Sequence, residues 1–214
     1  VNVRNIVLGQ GMPKICVPVT GTTYETVTDQ MEKIHNEYRD AVDVIELRID
    51  FFENVFDEDR LQELLKKVRQ IISDMALLFT FRTKNEGGER EISSEKYKSL
   101  VKTAIDSGMV DAVDVEAFFD DSILKELSAY AKAKKIPVIA SNHDFEKTPE
   151  RSDIAERLKY MESQGADIAK IAVMPKSKND VAALISSLCD ADESLEIPVI
   201  AISMGKLGAV SRIS

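Results

Sequence analysis

The stretch Ala76–Phe81 reads Ala-Leu-Leu-Phe-Thr-Phe and is nearly continuously apolar. A short apolar run of this kind is typical of a strand that is buried on both faces. Such strands occur mainly in parallel sheets, because crossover helices cover the faces of those sheets. The stretch therefore predicts a central strand of a parallel β/α fold.

On both sides of this strand the chain alternates between short β-branched runs and longer amphipathic segments. In the segment Glu58–Ile72, apolar residues recur at helical spacing and form one face. The predicted strands are Lys14–Thr20, Asp43–Ile49, Ala76–Phe81, Ala112–Glu116, Pro137–Asn142, Asp167–Val173 and Pro198–Ile202. The predicted helices are Tyr24–Asn36, Glu58–Ile72, Ser94–Asp106, Asp121–Lys134, Glu150–Gln164 and Lys178–Cys189. This order leaves two architectures, a doubly wound open sheet or a closed barrel.

Polar side chains inside the predicted strands favour the barrel. They recur at every second position and would point inward, near the mouth where a barrel carries its chemistry. These residues are Glu46, Arg48, Asp50, Asp114, Glu116 and Lys170. A GxGxxG turn, which would indicate a dinucleotide fold, does not follow the first strand. We therefore predict a (βα)8 TIM barrel in one domain that spans residues 1–214.

Two features at the ends of the sequence complete this prediction. A barrel of eight units needs one more strand and helix than the seven strands predicted here, so we expect the eighth βα unit to be missing from this sequence. Near the other end, Val3–Leu8 alternates between apolar and polar residues. We expect it to form a short β ribbon that plugs the N-terminal end of the barrel.

Composition narrows the functional classes. The 214 residues are 44% hydrophobic and 30% charged, and no stretch approaches the roughly 18 apolar residues of a membrane span. The net charge of −9 argues against nucleic acid as a partner, since phosphate binding needs a basic face. Cys16 and Cys189 form no CxxC pair, which suits a reducing cytoplasm and gives no framework for a metal. The first 14 residues lack the apolar core of a secretory signal.

Lys170 is the first candidate for chemistry. It lies in Asp167–Pro175, on a strand with apolar neighbours on both sides. Apolar surroundings favour the neutral and nucleophilic amine, which imine formation with a carbonyl requires. The alternative is a structural lysine paired with an internal carboxylate, and this strand alone does not decide between the two.

His143 is the second candidate. The chain has two histidines, and His35 lies within a predicted helix, where a solvated surface role is expected. His143 ends the fifth strand, at the predicted mouth and one strand away from Lys170. This position suits a general acid–base that removes a proton beside an imine carbon.

Three arginines fall at or near strand ends of this acidic protein: Arg48, Arg82 and Arg212. Each alone is typical of an ion-pair residue, but together they predict a pocket for an anion, because guanidinium binds carboxylate in a bidentate manner. Glu46 and Glu86 are expected to orient the cations or the histidine.

Taken together, these segments resemble type I 3-dehydroquinate dehydratase. The motifs occur in the order of that family and span nearly the whole chain. They are Glu46–Asp50, Phe81–Thr83 with Glu86–Gly88, Ser141–Phe145 with Thr148–Pro149, Asp167–Pro175, and Ser203–Gly205 leading to Ser211–Arg212.

The resemblance implies dehydration of 3-dehydroquinate through a lysine imine, in aromatic amino-acid biosynthesis and without a cofactor or metal. It implies that Lys170 is the nucleophile, that His143 moves the protons and that Glu86 orients His143. It further implies that Glu46, Arg48, Arg82 and Arg212 hold the substrate, that Met204 packs on the substrate ring, and that the enzyme is a homodimer. In the family, a loop after the eighth strand closes over the substrate with a serine and a glutamine, and this sequence ends before that loop.

Two other interpretations remain open at this point. Another Schiff-base barrel, an aldolase of the transaldolase or deoxyribose-phosphate type, would share the strand lysine and add a phosphate cradle. A non-catalytic barrel that binds an anionic metabolite would use Lys170 only as an ion-pair partner.

Overall fold

The structure is a computed structural model and describes residues 1–212, so residues 213 and 214 of the predicted domain lie outside it. Nine strands are described: β1 (Asn2–Val3), β2 (Ile6–Val7), β3 (Cys16–Val19), β4 (Val44–Arg48), β5 (Ala76–Thr80), β6 (Ala112–Glu116), β7 (Val138–Asp144), β8 (Ile168–Val173) and β9 (Val199–Ser203). The α-helices are α1 (Tyr24–Glu37), α2 (Glu58–Ile72), α3 (Ser94–Asp106), α4 (Ile123–Ala133), α5 (Arg151–Ser163) and α6 (Lys178–Ser194). Within the described residues, no helix is both long enough and apolar enough to cross a membrane.

Strands β3 to β9 form one curled parallel sheet in chain order, with the helices as crossovers between them. This confirms the predicted barrel architecture for seven strands. The sheet register aligns the inward-facing polar residues of neighbouring strands: Thr80 pairs with Asp114, Glu116 with Ser141, and Ser141 with Lys170. Side chains from distant parts of the sequence are thereby brought to one end of the sheet interior.

The N-terminal ribbon is also confirmed. β1 and β2 form an antiparallel hairpin in which Val3 pairs with Ile6. Val3 is 2% exposed and packs in a small cluster with Val44, Leu78 and Ile168 from the barrel strands. The hairpin therefore closes the N-terminal end of the barrel, opposite the end that carries the polar groups.

The helices begin where the sequence supplies capping side chains. Asp57 accepts the backbone N–H of Arg60 at the start of α2, and its carboxylate stabilises the positive end of the helix dipole. The buried face of α2, which includes Leu61, Leu64 and Val68, packs on the sheet as its spacing predicted. Most differences from prediction lie at element ends: α6 continues to Ser194, five residues beyond the predicted end.

Candidate active site

Lys170 lies in the middle of β8, with buried Ala169 and Ile171 on either side of it in sequence. Its side chain is 13% exposed and points into the barrel interior, where Nζ lies 3.4 Å from Oδ2 of Asp114 on β6. The lysine is therefore largely buried and paired with an internal carboxylate. This is the pairing that the sequence left as the alternative to a nucleophilic lysine.

His143 lies near the end of β7 and is coupled to Glu86. Its Nδ1 lies 2.9 Å from Oε2 of Glu86, and its backbone N–H donates to the same oxygen at 3.0 Å. When Glu86 is ionised, Nδ1 must carry the proton that is donated to it, so Nε2 is left as the acceptor. His143 and Ser141 alternate along β7, so both face the interior beside Lys170. This geometry directs a proton acceptor towards the space next to the lysine.

The charges around this pair shift its titration. Burial lowers the pKa of His143 to about 2, and the neighbouring cations Arg82 and Lys170 act in the same direction. Burial also raises the pKa of Glu86 to about 8, with a further contribution from Glu116, while Arg82 and Asn142 oppose the rise. His143 is thus held neutral, which is the form that can accept a proton.

Glu86 is placed by a short loop after β5. A 3-10 turn covers Lys84–Glu86 and ends at Gly87, whose φ of +83° suits glycine. The ring of Phe145 lies so close to Gly87 that an added Cβ would meet it at 2.4 Å. Phe145 also stacks on the imidazole of His143, with 6.5 Å between ring centroids. Gly87 therefore allows the loop and the histidine to share one aromatic neighbour.

Arg82 occupies the centre of the polar interior and is 3% exposed. Its Nη2 donates to Asp114 at 2.8 Å, and its Nη1 donates to Ser141 at 2.8 Å and to Glu116 at 3.1 Å. Of the five N–H donors of the guanidinium, these contacts use three. Arg82 therefore pairs mainly with internal carboxylates. Two of its N–H donors are not used by these contacts.

Arg48 and Glu46 lie on β4, also near the mouth. Arg48 makes a bidentate pair with the fully buried Asp50, through Nε at 2.8 Å and Nη2 at 2.9 Å. Glu46 accepts the hydroxyl of Thr80 at 2.9 Å. The side chain of Arg48 is 19% exposed, so it remains accessible from the barrel interior or mouth.

Arg212 and Met204 lie after β9, at the same end of the sheet. The backbone N–H of Met204 donates to the carbonyl of Val173, which fixes the start of this segment against β8. Arg212 ends a 3-10 turn and is exposed. Within residues 1–212, neither side chain makes a hydrogen bond or ion pair with the group around Lys170. The structure therefore places the two residues after β9 without bringing them into that group.

Several residues that complete this site have no role assigned from the sequence. Asp114 and Glu116 were identified only as inward-facing, although both contact Arg82. Asn142 donates to Oε1 of Glu86 at 3.0 Å and accepts from Arg157 of α5 at 2.8 Å. An amide directly before the candidate histidine was the only available signal for Asn142, and nothing in the sequence pattern singled out Arg157.

Comparisons with known proteins agree with this geometry. The family model described as type I 3-dehydroquinase matches residues 15–214. A 3-dehydroquinate dehydratase from Lactiplantibacillus plantarum is 44% identical over 214 residues, which cover all of this chain and 84% of that protein. The crystal structure of a type I 3-dehydroquinate dehydratase from Clostridium difficile, with covalently modified comenic acid, superimposes with a TM-score of 0.95. That structure is 40% identical, and the match covers 99% of this chain and 83% of that one.

A second solved structure, the 3-dehydroquinate dehydratase from Enterococcus faecalis, matches with a TM-score of 0.93 at 36% identity, covering 99% of this chain and 87% of that one. The resemblance inferred from five ordered motifs is thereby confirmed, and the aldolase and the non-catalytic barrel are set aside. The chain belongs to the type I 3-dehydroquinase family.

Proposed function

We propose that Lys170, His143 and Glu86 carry out the family's reaction in this chain. That reaction is the dehydration of 3-dehydroquinate to 3-dehydroshikimate, so the protein is a hydro-lyase of the shikimate pathway, which supplies aromatic amino acids. The single observation that carries the proposal is the position of Lys170. It is an amine on an interior strand, next to a histidine held neutral by burial.

The reaction begins at the ketone carbon of the substrate. The neutral amine of Lys170 attacks this carbon, and loss of water leaves a protonated imine that joins Nζ to the substrate. The iminium withdraws electrons from the adjacent carbon, so the proton on that carbon becomes acidic. Nε2 of His143 takes this proton, and the electron pair moves into an enamine.

The second half of the reaction expels the hydroxyl group. The enamine electrons re-form the iminium as the hydroxyl on the β carbon leaves, and His143 returns the proton so that water departs. Hydrolysis of the iminium then releases the product and regenerates Lys170. The sum is the loss of one water molecule, with no change in oxidation state.

Glu86 orients His143 both when the histidine takes the proton and when it returns the proton. The Oε2 atom lies 2.9 Å from the ring Nδ1 and accepts the backbone N–H of His143, while Asn142 donates to the other oxygen. A ring held at Nδ1 by this fixed carboxyl group presents Nε2 to the substrate in one orientation, which is what proton transfer needs. We assign Glu86 to this orienting role.

The remaining predicted residues are proposed to hold the substrate. Arg48 offers an accessible guanidinium on β4, and Glu46 beside it offers an acceptor for a hydroxyl. Arg82 has two N–H donors beyond those that it gives to Asp114, Ser141 and Glu116.

Arg212 is proposed to bind the substrate carboxylate, and Met204 to pack against the ring. Support for both comes from their place after β9 and from the family motif.

We also propose a location in the cell and an oligomeric state for the protein. A cytoplasmic location agrees with the free thiols Cys16 and Cys189, and a homodimer rests on the family resemblance. Sedimentation velocity at several protein concentrations tests the dimer, since a single monomeric species throughout would contradict it.

The proposal is tested by comparing Lys170→Met with Lys176→Met. Lys176 lies just after the same strand and is exposed, so it serves as a matched control. Product is followed by the ultraviolet absorbance of its conjugated enone. We expect Lys170→Met to lose turnover by at least about 10³-fold and Lys176→Met to keep it, because only Lys170 forms the imine. Comparable turnover in the two variants would overturn the assignment of the nucleophile.

A further inference from the structure

Asp114 is a buried carboxylate that the reaction scheme above does not use. It lies in the middle of β6 with no exposed surface. One oxygen, Oδ1, accepts from Nη2 of Arg82 at 2.8 Å and from the hydroxyl of Ser141 at 2.6 Å. The other oxygen, Oδ2, faces Nζ of Lys170 at 3.4 Å.

This arrangement fixes the carboxylate independently of the lysine. Arg82 and Ser141 both donate to Oδ1, the oxygen that does not contact Nζ, so these two contacts do not depend on what Nζ carries. In the described part of the chain, Asp114 is the one carboxylate that forms an ion pair with Lys170. Although burial alone raises the pKa of Asp114, Arg82 and Lys170 hold it well below its ordinary value, so the group is ionised.

The neighbouring carboxylates are committed elsewhere. Glu116 accepts the backbone N–H of Thr83 at 2.7 Å and its hydroxyl at 2.6 Å. Glu86 is held by Asn142 and His143. Asp114 is therefore the anion that is available to the nitrogen of Lys170.

The chemistry at this nitrogen calls for such an anion. When the neutral amine becomes a protonated imine, a positive charge forms on the same nitrogen in a site that has also taken up the substrate. A buried cation is costly without a partner, and a fixed anion costs no reorganisation when the charge forms. We propose that Asp114 is the counter-ion of the imine and keeps it in the protonated form that makes the adjacent carbon acidic. This inference rests on the proposed imine at Lys170.

The test compares Asp114→Asn with Asp111→Asn. Asp111 lies three residues earlier, is largely buried, and forms an ion pair with Arg69 at 2.6 Å, so it serves as a control carboxylate away from the site. Each protein is mixed with 3-dehydroquinate and reduced with borohydride during turnover, and the trapped fraction is measured by intact mass. kcat and KM are measured in parallel.

We expect Asp114→Asn to lower both the trapped fraction and kcat by at least about tenfold while KM changes by less than about threefold, because the lost charge acts on the imine. We expect Asp111→Asn to keep its kinetic constants. An unchanged trapped fraction and kcat in Asp114→Asn would overturn the inference. A rise in KM alone would also overturn it, because Asp114 would then act only through Arg82 on substrate binding. Absence of trapping in the unsubstituted protein would instead refute the imine at Lys170.

A second measurement uses the unsubstituted protein, so it does not depend on whether a variant folds. The charged or titratable groups that act on the same sites as the charge of Lys170 are Cys16, Glu46, Arg48, Arg82, Asp114 and His143. The pH at which the bound imine loses its proton is compared with that of an imine of the same ketone with butylamine in water. We expect the bound imine to stay protonated to a higher pH. Loss of its proton at the same or a lower pH would overturn the proposed role of Asp114.

Discussion

Oε2 of Glu86 contacts the same residue twice: it lies 2.9 Å from the ring Nδ1 of His143 and accepts the backbone N–H of His143 at 3.0 Å. One carboxyl oxygen therefore fixes the position of the imidazole and, when Glu86 is ionised, its tautomer. The relation joins a loop after β5 to the end of β7, two segments that are 57 residues apart in sequence.

Replacement of the histidine is expected to separate imine formation from turnover. In His143→Ala, Lys170 remains next to Asp114, so the imine should still form, but more slowly. Turnover should fall by about 10²–10⁴-fold, because no group at that position removes the α proton. Steady-state rates and borohydride trapping, measured on the same sample, check both parts. Turnover at the unsubstituted rate would remove the acid–base role of His143.

Replacement of Glu86 is expected to change how stability depends on pH. The folded state raises the pKa of Glu86 from its ordinary 4.5 to about 8. Between these values the folded chain holds a proton that the unfolded chain has released, so stability from this group is full below pH 4.5 and is lost as the pH rises through 8. Glu86→Gln lacks this titration. Relative to the variant, the parent should lose at least about 1 kcal/mol of unfolding free energy between about pH 5 and pH 9.

Urea denaturation at both pH values measures this change. Glu91→Gln is the control, because the side chain of Glu91 is 81% exposed and should show no such difference. A constant gap between the parent and Glu86→Gln at all pH values would contradict the raised pKa.

Matched lysine substitutions are expected to distinguish two arginines. Arg82→Lys loses the planar fork that reaches Asp114, Glu116 and Ser141, and leaves buried carboxylates poorly paired. We expect a loss of about 2–4 kcal/mol in unfolding free energy. Arg48→Lys keeps a charge near Asp50 at a partly open position, so stability should change by less than about 1 kcal/mol while KM rises.

Chemical denaturation and steady-state kinetics together test this contrast. Equal losses of stability in Arg82→Lys and Arg48→Lys would contradict the different burial of the two side chains.

The sequence predicted the fold well because its signals are local. The apolar run at Ala76–Phe81 and the apolar spacing in Glu58–Ile72 each determine an element without help from distant residues. The inward alternation of polar residues on the strands then favoured a curled sheet over an open one. Helix ends were less certain, as at Ser194, since no glycine or proline marks the stop.

The candidate site was predictable only in part. Lys170 and His143 stood out because each has an unusual setting within its own strand. Partnerships across strands did not: the contact of Asp114 with Lys170, or of Asn142 with Glu86, depends on register and curvature that a single sequence does not display. Arg157 was the hardest of these residues to predict, because it lies on a helix outside the sheet and reaches Asn142 from there.

Mapping of the adduct tests whether Lys170 forms an imine with 3-dehydroquinate. The protein is incubated with 3-dehydroquinate, reduced with borohydride and digested, and peptide masses locate the modification. The Lactiplantibacillus plantarum relative serves as the positive control. We expect one adduct, on the peptide that contains Lys170, and no adduct in Lys170→Met. An adduct on a different lysine, or none while the control is modified, would contradict this expectation.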